Sequence, residues 1–130
     1  MVFYLDTSAA VKLVVEEPGS RAMSRWAVAH AAEVVSSDLL RTELLRATRH
    51  TAPEEMPRAR AVLDSVTLLS LPAAVFEHAA ELESFVLRSL DALHLASALG
   101  LGDELDGLVT YDDRLAEAAA LHGIAVHSPS

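Results

Sequence analysis

A chain of 130 residues with 52% hydrophobic content is most simply one domain, large enough to take roughly two-thirds of its unfolded surface out of water. It holds no cysteine, which excludes disulfides, thiol nucleophiles and cysteine-ligated zinc or iron–sulfur centres. Nineteen acids stand against ten bases, nine of them arginine, and the formal charge of −9 has the wrong sign for a generic nucleic-acid binder.

Residues 2–5, Val-Phe-Tyr-Leu, form a wholly apolar run that reads as a strand buried on both faces. It stops at Asp6-Thr7-Ser8, and residues 9–15 continue as a helix with Thr7 or Ser8 available as its cap. Asp6 is thereby placed at a strand's carboxyl end, the edge where open α/β sheets bind ligands. Glu16-Glu17-Pro18-Gly19 reads as a turn, residues 20–32 as a second helix, and residues 34–36 as a short strand. A helix follows over residues 39–51, with Leu40, Leu44, Leu45 and Ala47 in an apolar stripe. Glu43 lies beside that stripe, so it is partly buried and needs a partner.

Residues 53–64 predict another helix, which Pro57 either bends or begins. A strand over 66–71 and a helix over 72–82 come next, then a connection over 83–89. The apolar helix that carries Asp91 in its first turn runs to Leu99 and stops at Gly100 and Gly102. Residues 108–110 read as a strand leading to Asp112, residues 114–122 as a helix closed by Gly123, and residues 124–126 as a last strand. Strands alternate with helices and nothing repeats, which predicts a three-layer α/β domain with a central parallel sheet of about five strands.

In that fold Asp6 and Asp112 leave strand ends on one edge, and Glu43 and Asp91 can face the same crevice. Four converging carboxylates repel one another unless protons or divalent cations intervene. Hard oxygen ligands without cysteine favour Mg²⁺ or Mn²⁺, and the matching chemistry is metal-assisted phosphodiester hydrolysis, which needs no protein nucleophile. Bound cations and local arginine clusters would then offset the acidic field toward a nucleic acid.

The segments Tyr4-Leu5-Asp6-Thr7-Ser8-Ala9, Arg41-Thr42-Glu43-Leu44, Leu90-Asp91-Ala92-Leu93-His94-Leu95-Ala96 and Thr110-Tyr111-Asp112-Asp113-Arg114-Leu115 carry a family resemblance. In this order they resemble the acidic motifs of PIN-domain ribonucleases, and more narrowly those of VapC-type toxins of bacterial toxin–antitoxin modules. The resemblance spans essentially the whole chain. It implies a Mg²⁺-dependent endoribonuclease acting on structured RNA such as tRNA or rRNA, normally a homodimer and silenced by a cognate antitoxin. By the same resemblance Asp6 and Asp91 are the principal metal ligands, and Glu43 and Asp112 complete the acidic site and help orient the attacking water. Thr7, Ser8 and Thr110 match hydroxyl positions that hydrogen-bond the carboxylates or the scissile phosphate, and Asp113 is either an auxiliary ligand or a helix cap.

Plainer readings exist for each residue. Asp6, Asp91 and Asp112 can each be helix caps, although that leaves Glu43 unexplained. His94, on an apolar helix, is more commonly a satisfied core or interface residue than a ligand. Arg41, Arg46, Arg49, Arg88 and Arg114 either steer phosphates or pair with surface acids, with Arg46, Arg88 and Arg114 taken as the phosphate contacts. Trp26 and Met23 read as core or antitoxin-groove residues.

A PIN-like module that binds RNA or protein without cutting is the alternative function; its mark would be a lost acid, and no acid is lost. A receiver-type phosphoacceptor needs a late lysine, but the only lysine is Lys12, and a haloacid-dehalogenase-type phosphatase needs an Asp where Ser8 stands. No run of 18 apolar residues and no basic amino-terminal region occur, so a cytoplasmic location is expected. The mean hydropathy of +0.28 predicts apolar surface covered by a partner or a second copy.

Overall fold

The structure is a computed structural model and describes residues 1–83 and 87–130. The connection expected over residues 83–89 therefore lies in part outside the described residues. The strands are β1 (Val2–Leu5), β2 (Val34–Ser37), β3 (Thr67–Leu69), β4 (Leu105–Val109) and β5 (Val126–His127). They form one sheet in the order β3-β2-β1-β4-β5, every pairing parallel, as the alternating pattern predicted. The helices are α1 (Thr7–Lys12), α2 (Ser20–Ala29), α3 (Leu39–Thr51), α4 (Met56–Ser65), α5 (Ala73–Glu81), α6 (Ser89–Leu99) and α7 (Asp113–Leu121). Among the described residues no helix is long and apolar enough to cross a membrane.

Side chains alternate across the sheet because successive residues of a strand point to opposite faces. Leu5, Val34 and Val109 enter one core with Ala9 and Ala10 of α1, Met23 of α2, Leu40 and Leu44 of α3, and Leu63 of α4. Their neighbours Tyr4, Val35 and Leu108 enter a second core with Leu95 and Ala98 of α6 and Leu115 and Ala118 of α7. β1 is thus buried on both faces, which is why its sequence is apolar without alternation.

Several boundaries differ from expectation, each for a local reason. α1 begins at Thr7 because Asp6, in extended backbone, supplies the cap, its carboxylate accepting the Ala9 N–H; neither Thr7 nor Ser8 does so. α2 ends at Ala29, and Ala31–Glu33 forms a 3-10 turn. Pro57 marks the start of α4 rather than a bend, since its missing N–H costs nothing in a first turn. β3 is shorter than residues 66–71, and β5 lies one to two residues later than residues 124–126.

β4 begins at Leu105, earlier than residue 108. Asp106 and Gly107 are poor strand formers, but Leu105, Gly107, Leu108 and Val109 all pair with β1, and a register shift passes over Asp106. Gly107 is also required sterically: a Cβ there would stand 2.6 Å from the His127 ring and 3.0 Å from the Ala125 carbonyl oxygen. Gly107→Ala is expected to destabilise the fold by about 1–3 kcal/mol, because β5 must move to make room. A denaturation midpoint equal to the parent's would show that β5 yields freely.

Candidate active site

β1 is the point at which the strand order reverses, with β2 on one side and β4 on the other, so the chain leaves the ends of β1 and β4 in opposite directions. Such a switch point opens a crevice at the strands' carboxyl ends. Asp6 follows β1 directly, and Thr110 and Asp112 follow β4. The backbone bond from Asp6 N–H to the Val109 carbonyl oxygen, 3.1 Å, extends the β1–β4 ladder up to the site.

Asp6 is only 4% exposed, and both of its oxygens are held. Oδ1 accepts the Ser8 hydroxyl at 2.7 Å and the Ala9 N–H at 3.2 Å; Oδ2 accepts the Thr110 hydroxyl at 2.9 Å. Ser8 Oγ in turn accepts the Tyr111 N–H at 2.8 Å, and Thr110 Oγ1 accepts the Asp112 N–H at 3.0 Å. Two hydroxyls therefore clasp the end of β1 to the loop after β4. Burial pushes the Asp6 carboxyl above the usual carboxylate range, against the hydrogen bonds from Ser8, Thr110 and Ala9 and the nearby His94 charge.

Glu43 projects from α3 beside Leu40 and Leu44. Its Oε1 accepts the Thr7 hydroxyl at 3.0 Å and lies 2.5 Å from His94 Nε2. Partial burial pushes Glu43 up, but the His94 hydrogen bond and charge, with Thr7, outweigh it and leave the carboxyl below its ordinary value. The partner that a half-buried Glu43 required is thus the residue read as a core histidine. His94 is both: 2% exposed, with its other nitrogen 2.8 Å from the Tyr4 hydroxyl.

Asp91 lies in the first turn of α6 but does not cap it; the cap position belongs to Arg88, which makes no side-chain cap bond. Burial, then the Asp112 and Glu43 charges, push the Asp91 carboxyl up, with His94 and the Arg88 backbone N–H opposing. Asp112 does cap α7, its Oδ1 accepting the Arg114 and Leu115 N–H groups at 2.9 and 3.2 Å. Asp113 is exposed in the first turn of that helix.

A cleft of about 750 Å³ opens over these groups, with Glu43, Asp91, Asp112 and Asp113 in its lining and Arg88 and Arg114 on its wall. Asp6 is set back from that lining. Each carboxylate oxygen has two lone pairs to offer. Among the described residues, partners leave free Glu43 Oε2, Asp112 Oδ2 and one lone pair of Asp6 Oδ2. The donor set suits a hard divalent cation, although among the described residues no three acids or histidines already stand within one ion's reach.

Not every predicted residue reaches the cleft. Arg46 stands on the far side of α3 from Leu44 and lines a separate depression with Arg49 and His50, because the buried stripe fixes the helix's rotation. Arg41 pairs with Asp38 in an exposed i,i+3 contact at 3.1 Å. Met23 belongs to the core, and Trp26 packs against it. The positions of Tyr4 and His94 behind Glu43 had no sequence signal, since Tyr4 and His94 are 90 residues apart.

An open parallel α/β sheet with carboxylates gathered at its switch point, flanked by arginines, has the layout of a nuclease-type hydrolase. The PIN domain family model matches residues 3–121. Ribonuclease VapC46 of Mycobacterium tuberculosis is 43% identical over 127 residues, spanning 98% of this chain and 97% of that protein. Ribonuclease VapC35 of the same species is 40% identical over 132 residues, with the same shares. The chain belongs to the PIN-domain family, and within it to the VapC-type ribonucleases. Two solved structures share the fold. VapC20 of M. tuberculosis, described as a sarcin-ricin loop cleaving toxin, matches with TM-score 0.80 at 16% identity over 98% of this chain and 99% of that one. PAE2754 from Pyrobaculum aerophilum matches with TM-score 0.71 at 22% identity, over 97% and 83%.

Proposed function

We propose that the chain is the toxin of a toxin–antitoxin pair, a single nuclease domain that hydrolyses phosphodiester bonds of structured RNA, tRNA or rRNA, with Mg²⁺ or Mn²⁺ as cofactor. The observation that carries this reading is the cleft in which Glu43, Asp91 and Asp112 keep free oxygens in front of a braced Asp6. Asp6 and Asp91 are assigned as the principal ligands, with Glu43 and Asp112 secondary. A bound divalent cation supplies Lewis-acid charge at the phosphate and lowers the pKa of water.

The chain's own groups do the rest. Thr7 and His94 orient Glu43, and Ser8 and Thr110 hold Asp6. The α7 amide groups occupy one oxygen of Asp112 and leave the other to the cleft. Arg88 and Arg114 draw phosphates into a cleft that the chain's overall charge would otherwise repel. Asp113 is an auxiliary acid at the rim.

The relatives' VapC name supports a cognate VapB antitoxin as partner, and the sarcin-ricin loop named for VapC20 supports structured RNA as the substrate class. A cytoplasmic homodimer completes the reading. Purified, antitoxin-free protein incubated with total bacterial RNA is expected to make discrete cuts with Mg²⁺ or Mn²⁺ and none in excess chelator. RNA binding should weaken in chelator too. Undiminished cleavage without divalent ions would sink the metal-dependent reading.

A further inference from the structure

We propose that Tyr4 and His94 are a positioning pair that fixes Glu43 with its free oxygen toward the cleft; this rests on the reading of that cleft as a metal-dependent nuclease site. A half-exposed glutamate on a helix samples several rotamers, and ordering it costs entropy. Here Oε1 is gripped from two elements, by Thr7 Oγ1 at 3.0 Å from α1 and by His94 Nε2 at 2.5 Å from α6. With that oxygen saturated, Oε2 is the one left for a ligand.

His94 is itself immobilised. It sits one turn after Asp91, so α6 brings Asp91 to the cleft and His94 behind Glu43 with one helix face. Its Nδ1 lies 2.8 Å from the Tyr4 hydroxyl, and its ring meets the Tyr4 ring edge-on, centroids 5.7 Å apart at 73°. Tyr4 is fully buried in the central strand β1, the best-braced element of the sheet. A continuous path of contacts therefore runs from the middle of the sheet to Glu43.

The grip holds both for the neutral ring with its proton on Nε2 and for the imidazolium. As a neutral ring with its proton on Nε2, His94 donates to Glu43 and accepts the Tyr4 O–H; as an imidazolium it donates to both. In either state an N–H meets Glu43 Oε1. A histidine needed only for packing would have no reason to spend that proton on a carboxylate at the cleft. Support for carboxylate ligands of this kind is commonly worth about 10- to 100-fold in metal affinity.

The test measures Mn²⁺ binding by calorimetry and RNA cleavage on folded variants of the full chain. His94→Leu removes both contacts and is expected to weaken Mn²⁺ binding about 10- to 100-fold, with cleavage falling in kcat more than in KM. His94→Gln, whose amide nitrogen reaches the place of Nε2, is expected to restore most of both. Tyr4→Phe should weaken Mn²⁺ binding by about threefold to tenfold in the parent and change nothing further in the His94→Leu background, because its effect passes through His94. If His94→Leu fails to fold, Tyr4→Phe and His94→Gln decide alone. The inference is overturned if His94→Leu binds Mn²⁺ like the parent, if His94→Gln is as impaired as His94→Leu, or if Tyr4→Phe leaves Mn²⁺ binding unaltered. A parent chain that neither binds Mn²⁺ nor cuts RNA overturns the underlying reading instead.

Discussion

Asp91→Asn is expected to reduce RNA cleavage by about a thousandfold or more while raising the melting temperature of the protein in chelator. The two effects have one source. Burial together with the charges of Asp112 and Glu43 disfavours the ionised form of Asp91, and the opposing His94 charge and Arg88 backbone N–H do not outweigh them. Its carboxyl in the fold is therefore raised above its unfolded value. Between those two values the native chain retains a proton that the unfolded chain has released, so metal-free stability falls as pH rises through that window. Asparagine removes the charge at nearly constant volume. At neutral pH the variant should melt higher than the parent, and its melting temperature should vary less with pH across that window. Asp6→Asn makes the informative contrast: its carboxylate accepts from Ser8, Ala9 and Thr110, so an amide there turns a donor toward donors. That variant should lose both cleavage and stability. Full activity in Asp91→Asn would remove the acid from the reaction, and a lower melting point in chelator would mean that Asp91 supports the fold.

Thr110→Val is expected to destabilise the protein by about 2–3 kcal/mol, although it changes shape very little. The fully buried hydroxyl gives its proton to Asp6 Oδ2 and takes the Asp112 N–H, so valine leaves a buried carboxylate and a backbone amide each one partner short. Cleavage should fall by about 10- to 100-fold even where the variant is folded, since two of the acids lose their common support. Thr110→Ser retains the hydroxyl and should recover most of the activity. Equal loss in the serine and valine variants would place the effect in packing rather than in the hydrogen bonds.

Much of this architecture is legible in the chain because it is written in local patterns. The Val-Phe-Tyr-Leu run predicts a doubly buried strand, and the Leu40/Leu44 stripe predicts α3 with the observed ends at Leu39 and Thr51. The acids are legible for a related reason: Asp6 and Asp112 sit where apolar strands end, and Glu43 sits beside an apolar stripe. The start of β4 is not legible, because Leu105 and Gly107 are held in the sheet, around a skipped Asp106, by a strand about a hundred residues away. The same is true of what supports the acids. Glu43 and His94 are 51 residues apart and Asp6 and Thr110 are 104 apart, and only the folded sheet makes them neighbours. Arg46 shows the converse: its place on the same helix as Glu43 suggested a phosphate contact, yet the rotation of α3, set by its buried stripe, turns it elsewhere.

The clasp between Asp6 and Thr110 also bears on timing. Ribosomes deliver a protein from its amino end, at about 5–20 residues per second. Asp6 and Glu43 emerge early, but Asp6 has neither its β4 neighbour nor its hydroxyl brace until residue 110 has been made, and Asp112 comes later still. A nascent chain therefore carries the acids without the crevice that gathers them. An enzyme built this way completes its site only once β4 has paired with β1, so its activity begins with one of the last pairings the chain can make.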